Sequence, residues 1–223
     1  MTLKARVVNF VIKYFFRTLL KIDDDALAAI PAKGPYILAA NHINAIEVPV
    51  MVTHLLPRPV TGLAKVESWS NPFFNFLFNL WDMIPIERGT ADFSAFNQAL
   101  QALKQNKIVV IAPEGTRSKD GKLLQGKPGV VPLAVKGGVP IYPLAFFGTE
   151  IFWHNIKRLR RTAFHIRVGR PFKVVTGGAA LDRDTRQEIT DNIMYRIAEL
   201  LPPEYRGYYA DLSKATGRFL IDQ

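Results

Sequence analysis

The sequence predicts an α/β protein: a single domain with a central mixed β-sheet flanked by helices, preceded by an N-terminal amphipathic helix. Three observations carry that expectation. Apolar runs of strand length recur along the chain, helical patterns lie between several of them, and 223 residues that are 48% hydrophobic and 22% charged suit one core of ordinary size. The helical unit is expected over 1–24 and the globular domain over 25–223, with no repeat, low-complexity tract or linker inside the latter.

The N-terminal stretch MTLKARVVNFVIKYFFRTLLKI sets Arg6, Lys13, Arg17 and Lys21 along one stripe of a helix at about 100° per residue, while Val8, Phe10, Val11, Ile12, Phe15, Phe16, Leu19 and Leu20 fill much of the remaining surface. Two readings fit. One is a first helix packed on the core with a solvated charged edge; the other is an in-plane membrane helix with its cations at headgroup level, which the wide aromatic face favours. The cations interrupt any signal-peptide core. No window reaches the roughly 18–20 apolar residues that a membrane span requires.

Strands are expected at YILAA (36–40), VTGLAK (60–65), KIVVIAP (107–113), PIYPLAFF (140–147) and HIRVGR (165–170). The helix EVPVMVTHLL (47–56) should begin close to Glu47, because Pro49 is tolerated only in a first turn. Further helices are expected at FFNFLFNLW (73–81), at TADFSAFNQALQALKQN (90–106) and within 182–207, the last running to about Leu201 before Pro202-Pro203. APEGTRSKDGKLLQGKPG (112–129) reads as a long functional loop. The prolines of VPIYPLAFFGT (139–149) suit a strand at a sheet margin or groove wall, and the default reading of the segment is core. The aromatic run from Phe73 to Trp81 reads as core, with part of it lining a groove or dipping into lipid.

Composition narrows the chemistry. A balance of 29 Lys+Arg against 19 Asp+Glu, net charge +10, calls for an anionic partner, with phosphate foremost. The absence of cysteine excludes disulfides, Cys-ligated zinc and thiol catalysis, and no metal-ligand spacing is present, so no metal or redox cofactor is expected. KRLRR (157–161) has the look of a nucleic-acid patch, but without interleaved stacking residues it reads better as a solvated turn or a headgroup-binding patch, and nucleic acid is not an expected partner.

His42 falls in the turn after the first of these strands, with Glu47 at the start of the following helix. A bend at that point lets the two side chains meet. A carboxylate that accepts the imidazole Nδ1–H fixes the tautomer and leaves Nε2 free to take a proton from an alcohol. Taken alone, the pair is more often a structural turn histidine with a helix-start glutamate. PEGTRS (113–118) sets Thr116 and Arg117 beside backbone amides in a glycine-containing loop suited to an anionic oxygen, and IPIERG (84–89) sets Arg88 where a guanidinium can clamp a phosphate. Each also has an ordinary surface reading. Lys65 and Lys127 read as solvated lysines, and His54, His154 and His165 as structural.

In this order, the His-x4-Glu pair, IPIERG, EGTRS and VPIYP resemble the four motif blocks of the glycerolipid acyltransferase superfamily, and in particular those of bacterial 1-acylglycerol-3-phosphate acyltransferases; the resemblance runs from about 35 to 207. It implies transfer of a fatty acyl group from an acyl thioester, acyl-coenzyme A or acyl carrier protein, to the hydroxyl of a lysophospholipid, giving phosphatidic acid from 1-acylglycerol-3-phosphate. It assigns His42 as general base and Glu47 as its orienting carboxylate. Arg88, Glu114, Gly115, Thr116 and Arg117 are assigned to the glycerol phosphate. It implies no cofactor beyond the donor, and a peripheral enzyme on an anionic membrane surface at the cytoplasmic face. The family carries aspartate where this chain has Glu47. A working substitute is expected, with Glu47→Asp leaving activity similar or higher; a catalytically weak lysophospholipid-binding homologue, or an enzyme for another lysolipid acceptor, stands as the alternative.

Overall fold

The computed structural model describes residues 2–89 and 92–223. Among the described residues, nine strands form one mixed sheet: β1 (Leu20–Asp23), β2 (Tyr36–Ala40), β3 (Val60–Lys65), β4 (Ile84–Ile86), β5 (Ile108–Ile111), β6 (Ile141–Phe147), β7 (Thr162–Val168), β8 (Phe172–Val174) and β9 (Leu220–Asp222). The order along the sheet is β1-β7-β6-β2-β5-β3-β4, and β8 and β9 extend from β6 as an antiparallel ribbon. The run β6-β2-β5-β3-β4 is parallel throughout, while β7 runs antiparallel to β6.

Strand alternation sorts side chains to two cores. Ile37, Ala39, Val109, Ile111, Ile141 and Ala145 point to one face, covered by α4 (Phe93–Lys104), α5 (Val130–Gly137) and α7 (Arg183–Ala198). Leu38, Ala40, Ile108, Leu144 and Phe146 point to the other, packed against α2 (Glu47–Leu55) and the end of α1 (Leu3–Leu19). Buried on both faces, β2 is apolar at every position, which is why YILAA stands out as a strand without alternation. α3 (Pro72–Leu80) adds Leu77 and Phe78 to a third cluster with Val52 and Trp81.

Several expectations are corrected. The N-terminal helix stops at Leu19, well short of 24, because Leu20 turns extended and is fully buried; residues 20–23 become β1, paired in parallel with β7. The unit is therefore built into the domain. Its inner face carries Ala5, Val8, Asn9 and Ile12, with Asn9 Oδ1 accepting from Trp81 Nε1 at 2.8 Å. A second apolar face, Leu3, Val7, Phe10, Val11, Tyr14 and Phe15, is more than half exposed.

β6 lies inside the sheet between β2 and β7, away from any margin. Pro143 is accommodated because the neighbour on one side of β6 changes there from β7, paired at 144–147, to β8, paired at Ile141; its missing N–H falls in the gap, and its carbonyl accepts from Gly169 N at 2.9 Å. α4 begins at Phe93, capped by Asp92, whose side chain accepts from Ala95 N; the expected start at Thr90 and Ala91 lies outside the described residues. The C-terminal helix ends at Ala198, three residues early, and β7 spans 162–168 in place of 165–170.

Beyond α7, short 3-10 turns over 203–209 hold the long loop that follows β5. Leu123 N donates to Tyr205 O and Tyr208 N to Leu123 O, both at 2.9 Å, and Gly126 N donates to the Tyr209 hydroxyl, itself bonded to Asp191. Gly207 is required in this clasp: its φ is +48° and a Cβ would stand 2.3 Å from Leu123 O. Gly207→Ala is expected to lower unfolding free energy in urea by at least ~1–2 kcal/mol, the cost of a left-handed L-residue before any clash is counted.

Candidate active site

His42 follows the C-terminal end of β2, where Asn41 extends the pairing by its side chain: Nδ2 donates to Phe146 O at 2.8 Å and Oδ1 accepts from Phe146 N at 2.7 Å. With that amide standing in for a strand residue, the chain leaves the sheet at His42 in a fixed direction. Asn44 closes the following turn, its Oδ1 accepting from Ile46 N and its Nδ2 donating to Thr149 O, both at 2.9 Å. α2 then starts at Glu47.

Glu47 is 1% exposed and its carboxylate is fully occupied. Oε2 lies 2.8 Å from His42 Nδ1 and accepts from Ile43 N at 2.9 Å; Oε1 accepts from Asn44 N at 3.0 Å and from the Thr149 hydroxyl at 3.1 Å. The carboxylate thus holds both the ring and the turn that carries it. Nε2 of His42 meets no protein partner among the described residues. The ring borders a small, half-open pocket of about 70 Å³, whose other walls include Val48, Met51, Val52, Leu63, Met83, Ile111 and Phe146, with Arg88 also in its lining.

The loop after β5 grips His42 from its backbone. Glu114 Oε1 accepts from His42 N at 3.0 Å, and Ser118 N donates to His42 O at 2.8 Å. The other Glu114 oxygen accepts from Leu124 N at 2.9 Å. Burial, with Glu47 nearby adding repulsion, pushes the Glu114 carboxyl up to about 7 against the pull of its two backbone donors. Both Glu114 oxygens thus accept from backbone N–H groups, so in this structure the side chain holds the backbone of His42 and the loop.

The remaining expected residues sit at the surface of the site. Thr116 and Arg117 are exposed on the loop. Gly115 has φ +66° and its N–H is used within the loop, donating to Ala112 O; the Lys127 side chain lies across it, Nζ 3.6 Å from where a Cβ would be. Partial burial, and after it the positive charge of Arg117, draws the Arg88 guanidinium below its ordinary range. Neither forms a salt bridge among the described residues, so an anion between them would relieve a like-charge pair. Lys65, by contrast, is paired with Glu67 at 2.9 Å. Sequence reasoning missed Asn41, Asn44, Ser118 and Thr149. The signal for Thr149 was its place just past β6, the parallel neighbour of the strand that carries His42.

A family model described as Acyltransferase matches residues 21–147, more than half of the chain. The chain is similar to proteins named 1-acyl-sn-glycerol-3-phosphate acyltransferase from Cocos nucifera, 30% identical over 61% of this chain and 46% of that one, and from Limnanthes douglasii, 33% identical over 59% and 45%. It spans about half the length of these plant relatives. A Bacillus subtilis protein of the same name is 24% identical over 77% of this chain and 83% of that one. Among solved structures, a 1-acyl-sn-glycerophosphate acyltransferase from Thermotoga maritima shares the fold, with a TM-score of 0.62 at 24% identity over 88% of this chain and 80% of that one.

Glu114 makes stability depend on pH in a defined direction. Its folded pKa, about 7, lies above the ordinary 4.5, so between those values the folded state keeps a proton that the unfolded state has released, and stability falls as pH rises through that window. In urea titrations at a series of pH values, the stability of the wild type relative to Glu114→Gln should decline from about pH 4.5 to 7 and be level above. A flat difference across the window would show a carboxylate ionised throughout.

Proposed function

The chain belongs to the acyltransferase family, and on that premise we propose that it transfers a fatty acyl group from an acyl thioester to the free hydroxyl of a lysophospholipid, with 1-acylglycerol-3-phosphate as acceptor and phosphatidic acid as product. The names of its relatives support the acceptor. The observation that carries the reading is the oriented imidazole: His42 Nδ1 is held at 2.8 Å by a buried carboxylate while Nε2 borders an apolar pocket that also holds a guanidinium.

In this mechanism His42 Nε2 takes the acceptor proton as the hydroxyl oxygen attacks the thioester carbonyl. Glu47 stabilises the imidazolium that forms. The proton is then available to the departing thiolate, of coenzyme A or of acyl carrier protein, so the histidine ends the cycle neutral. Arg88 and Arg117 hold the acceptor phosphate, and the apolar wall of Met51, Val52, Leu63 and Met83 meets the reacting end of an acyl chain. The outward face of α1 supports a peripheral position on an anionic membrane, at the cytoplasmic face where the donors are made. It continues onto Phe73 and Phe76 of α3, with Lys4 Nζ 5.2 Å from the Phe76 ring centre. Among the described residues, no helix is long and apolar enough to cross a membrane.

The four hydrogen bonds of Glu47 support a working glutamate over a catalytically weak lysolipid binder. They also reverse the expectation for Glu47→Asp. Shortening by one methylene, about 1.5 Å, withdraws the carboxylate at once from the three donors of the turn after β2 and from the Thr149 hydroxyl just past β6. Turnover should fall on the order of 10²-fold; wild-type turnover would show that the turn closes the gap. Thiol release from acyl-coenzyme A and, separately, from acyl carrier protein, with lysophosphatidic acid as acceptor, tests the reaction itself. Acceptor-dependent release should appear with one of these donors and vanish in His42→Ala; release that survives the substitution would remove His42 from the chemistry.

A further inference from the structure

We propose that residues 151–160 form a second membrane contact, a rigid wedge that inserts apolar side chains among anionic lipid headgroups beside the mouth of the acyl-transfer site. This rests on the reading of the protein as a peripheral enzyme that meets its acceptor at a lipid surface. The wedge consists of α6 (Phe152–Ile156) and the turn that follows it, which together join β6 to β7. They begin two residues after Thr149, whose hydroxyl and carbonyl hold Glu47 and Asn44.

Phe152 is buried and anchors the segment, but Ile151 is 50% exposed, Trp153 60% and Leu159 97%. Leu159 also has φ +52°, a conformation that favours glycine. The turn is not loose: Leu159 N donates to Ile156 O at 3.1 Å and Arg160 N to Asn155 O at 3.0 Å. Folding gains nothing from a branched aliphatic side chain held in solvent on a strained residue, so a role at a surface explains what packing does not. Lys157, Arg158 and Arg160 are exposed around it and make no ion pair with a carboxylate among the described residues.

The combination selects a lipid surface. An aliphatic apex partitions toward acyl chains, an indole sits at the interface, and flanking cations reach anionic headgroups along their flexible stems. The wedge is also continuous with α1: the Arg161 guanidinium donates to Arg17 O at 2.8 Å and to Leu20 O at 2.6 Å, which locks the turn to the C-terminal end of that helix. Two apolar and basic surfaces are thereby fixed with respect to each other, and both can meet one bilayer.

Co-sedimentation of the full chain with phosphatidylcholine vesicles containing phosphatidylglycerol tests this. Leu159→Gly removes the apex while relieving its strained φ, so the thermal midpoint should hold or rise. Binding should fall, and should fall roughly tenfold when Trp153→Ala is added. Turnover with a short-chain, monomeric lysolipid acceptor should be unchanged in both variants. Unchanged vesicle binding would overturn the proposal. So would a loss confined to turnover with acyl carrier protein as donor, which would make the patch a docking site for an acidic protein, and so would a wild-type chain that fails to sediment with vesicles. Loss of binding in the variants of a chain that transfers no acyl group would uphold the wedge and refute the acyl-transfer reading.

Discussion

The carboxylate of Glu47 is buried in a protein interior, where an unpaired charge is costly, and its surroundings follow from that cost. Four donors reach it: a ring nitrogen, two backbone amides of the turn and a hydroxyl from the loop just past the neighbouring strand. Satisfying them fixes the direction in which the chain leaves β2, the place where α2 starts and the tautomer of His42. The glutamate-for-aspartate exchange fits within this geometry, because the longer side chain reaches back from the first turn of the helix to amides three and four residues earlier. Orientation of the base and closure of the turn are the same interaction.

A second buried carboxylate works from the other side. Glu114 bonds the backbone N–H of His42 while its neighbour Ser118 bonds the carbonyl, so the loop after β5 pairs with this single residue much as a strand would. The loop is in turn clasped by Tyr205, Gly207 and Tyr209. A chain of hydrogen bonds therefore runs from the C-terminal turns to the imidazole, and the guanidinium of Arg117 rides on it. Burial is the main reason that Glu114 resists ionisation, and the nearby carboxylate of Glu47 adds a smaller repulsion.

Much of the frame was legible in the sequence. Strands at 36–40 and 60–65 and the helix start at Glu47 coincide with the structure, because continuous apolar runs and a first-turn proline are local signals. β1 was hidden because Leu20 to Asp23 continue the helical pattern of α1, and only the long-range pairing with β7 makes them a strand. The default reading of 139–149 as core agrees with the interior position of β6, while the margin alternative suggested by Pro143 fails because its tolerance depends on a change of partner strand that no local pattern records. At the site, His42, Glu47 and Arg88 were legible as one constellation and do border one pocket. The burial of Glu114 was not legible because acidic and basic residues of one loop segment look alike as ligands in sequence, and Thr149 was missed because its contact with Glu47 spans 102 residues.

That span has a consequence for the chain as it is made. His42 and Glu47 emerge from the ribosome almost together, yet the hydroxyl that helps to lock them arrives 102 residues later, and the amide of Asn41 waits equally for Phe146. At synthesis rates of about 5–20 residues per second, the pair is present for several seconds or more before β6 exists to order it. The nascent chain therefore holds the reactive residues without the geometry that gives them reactivity, and competence arrives with the closing of the sheet.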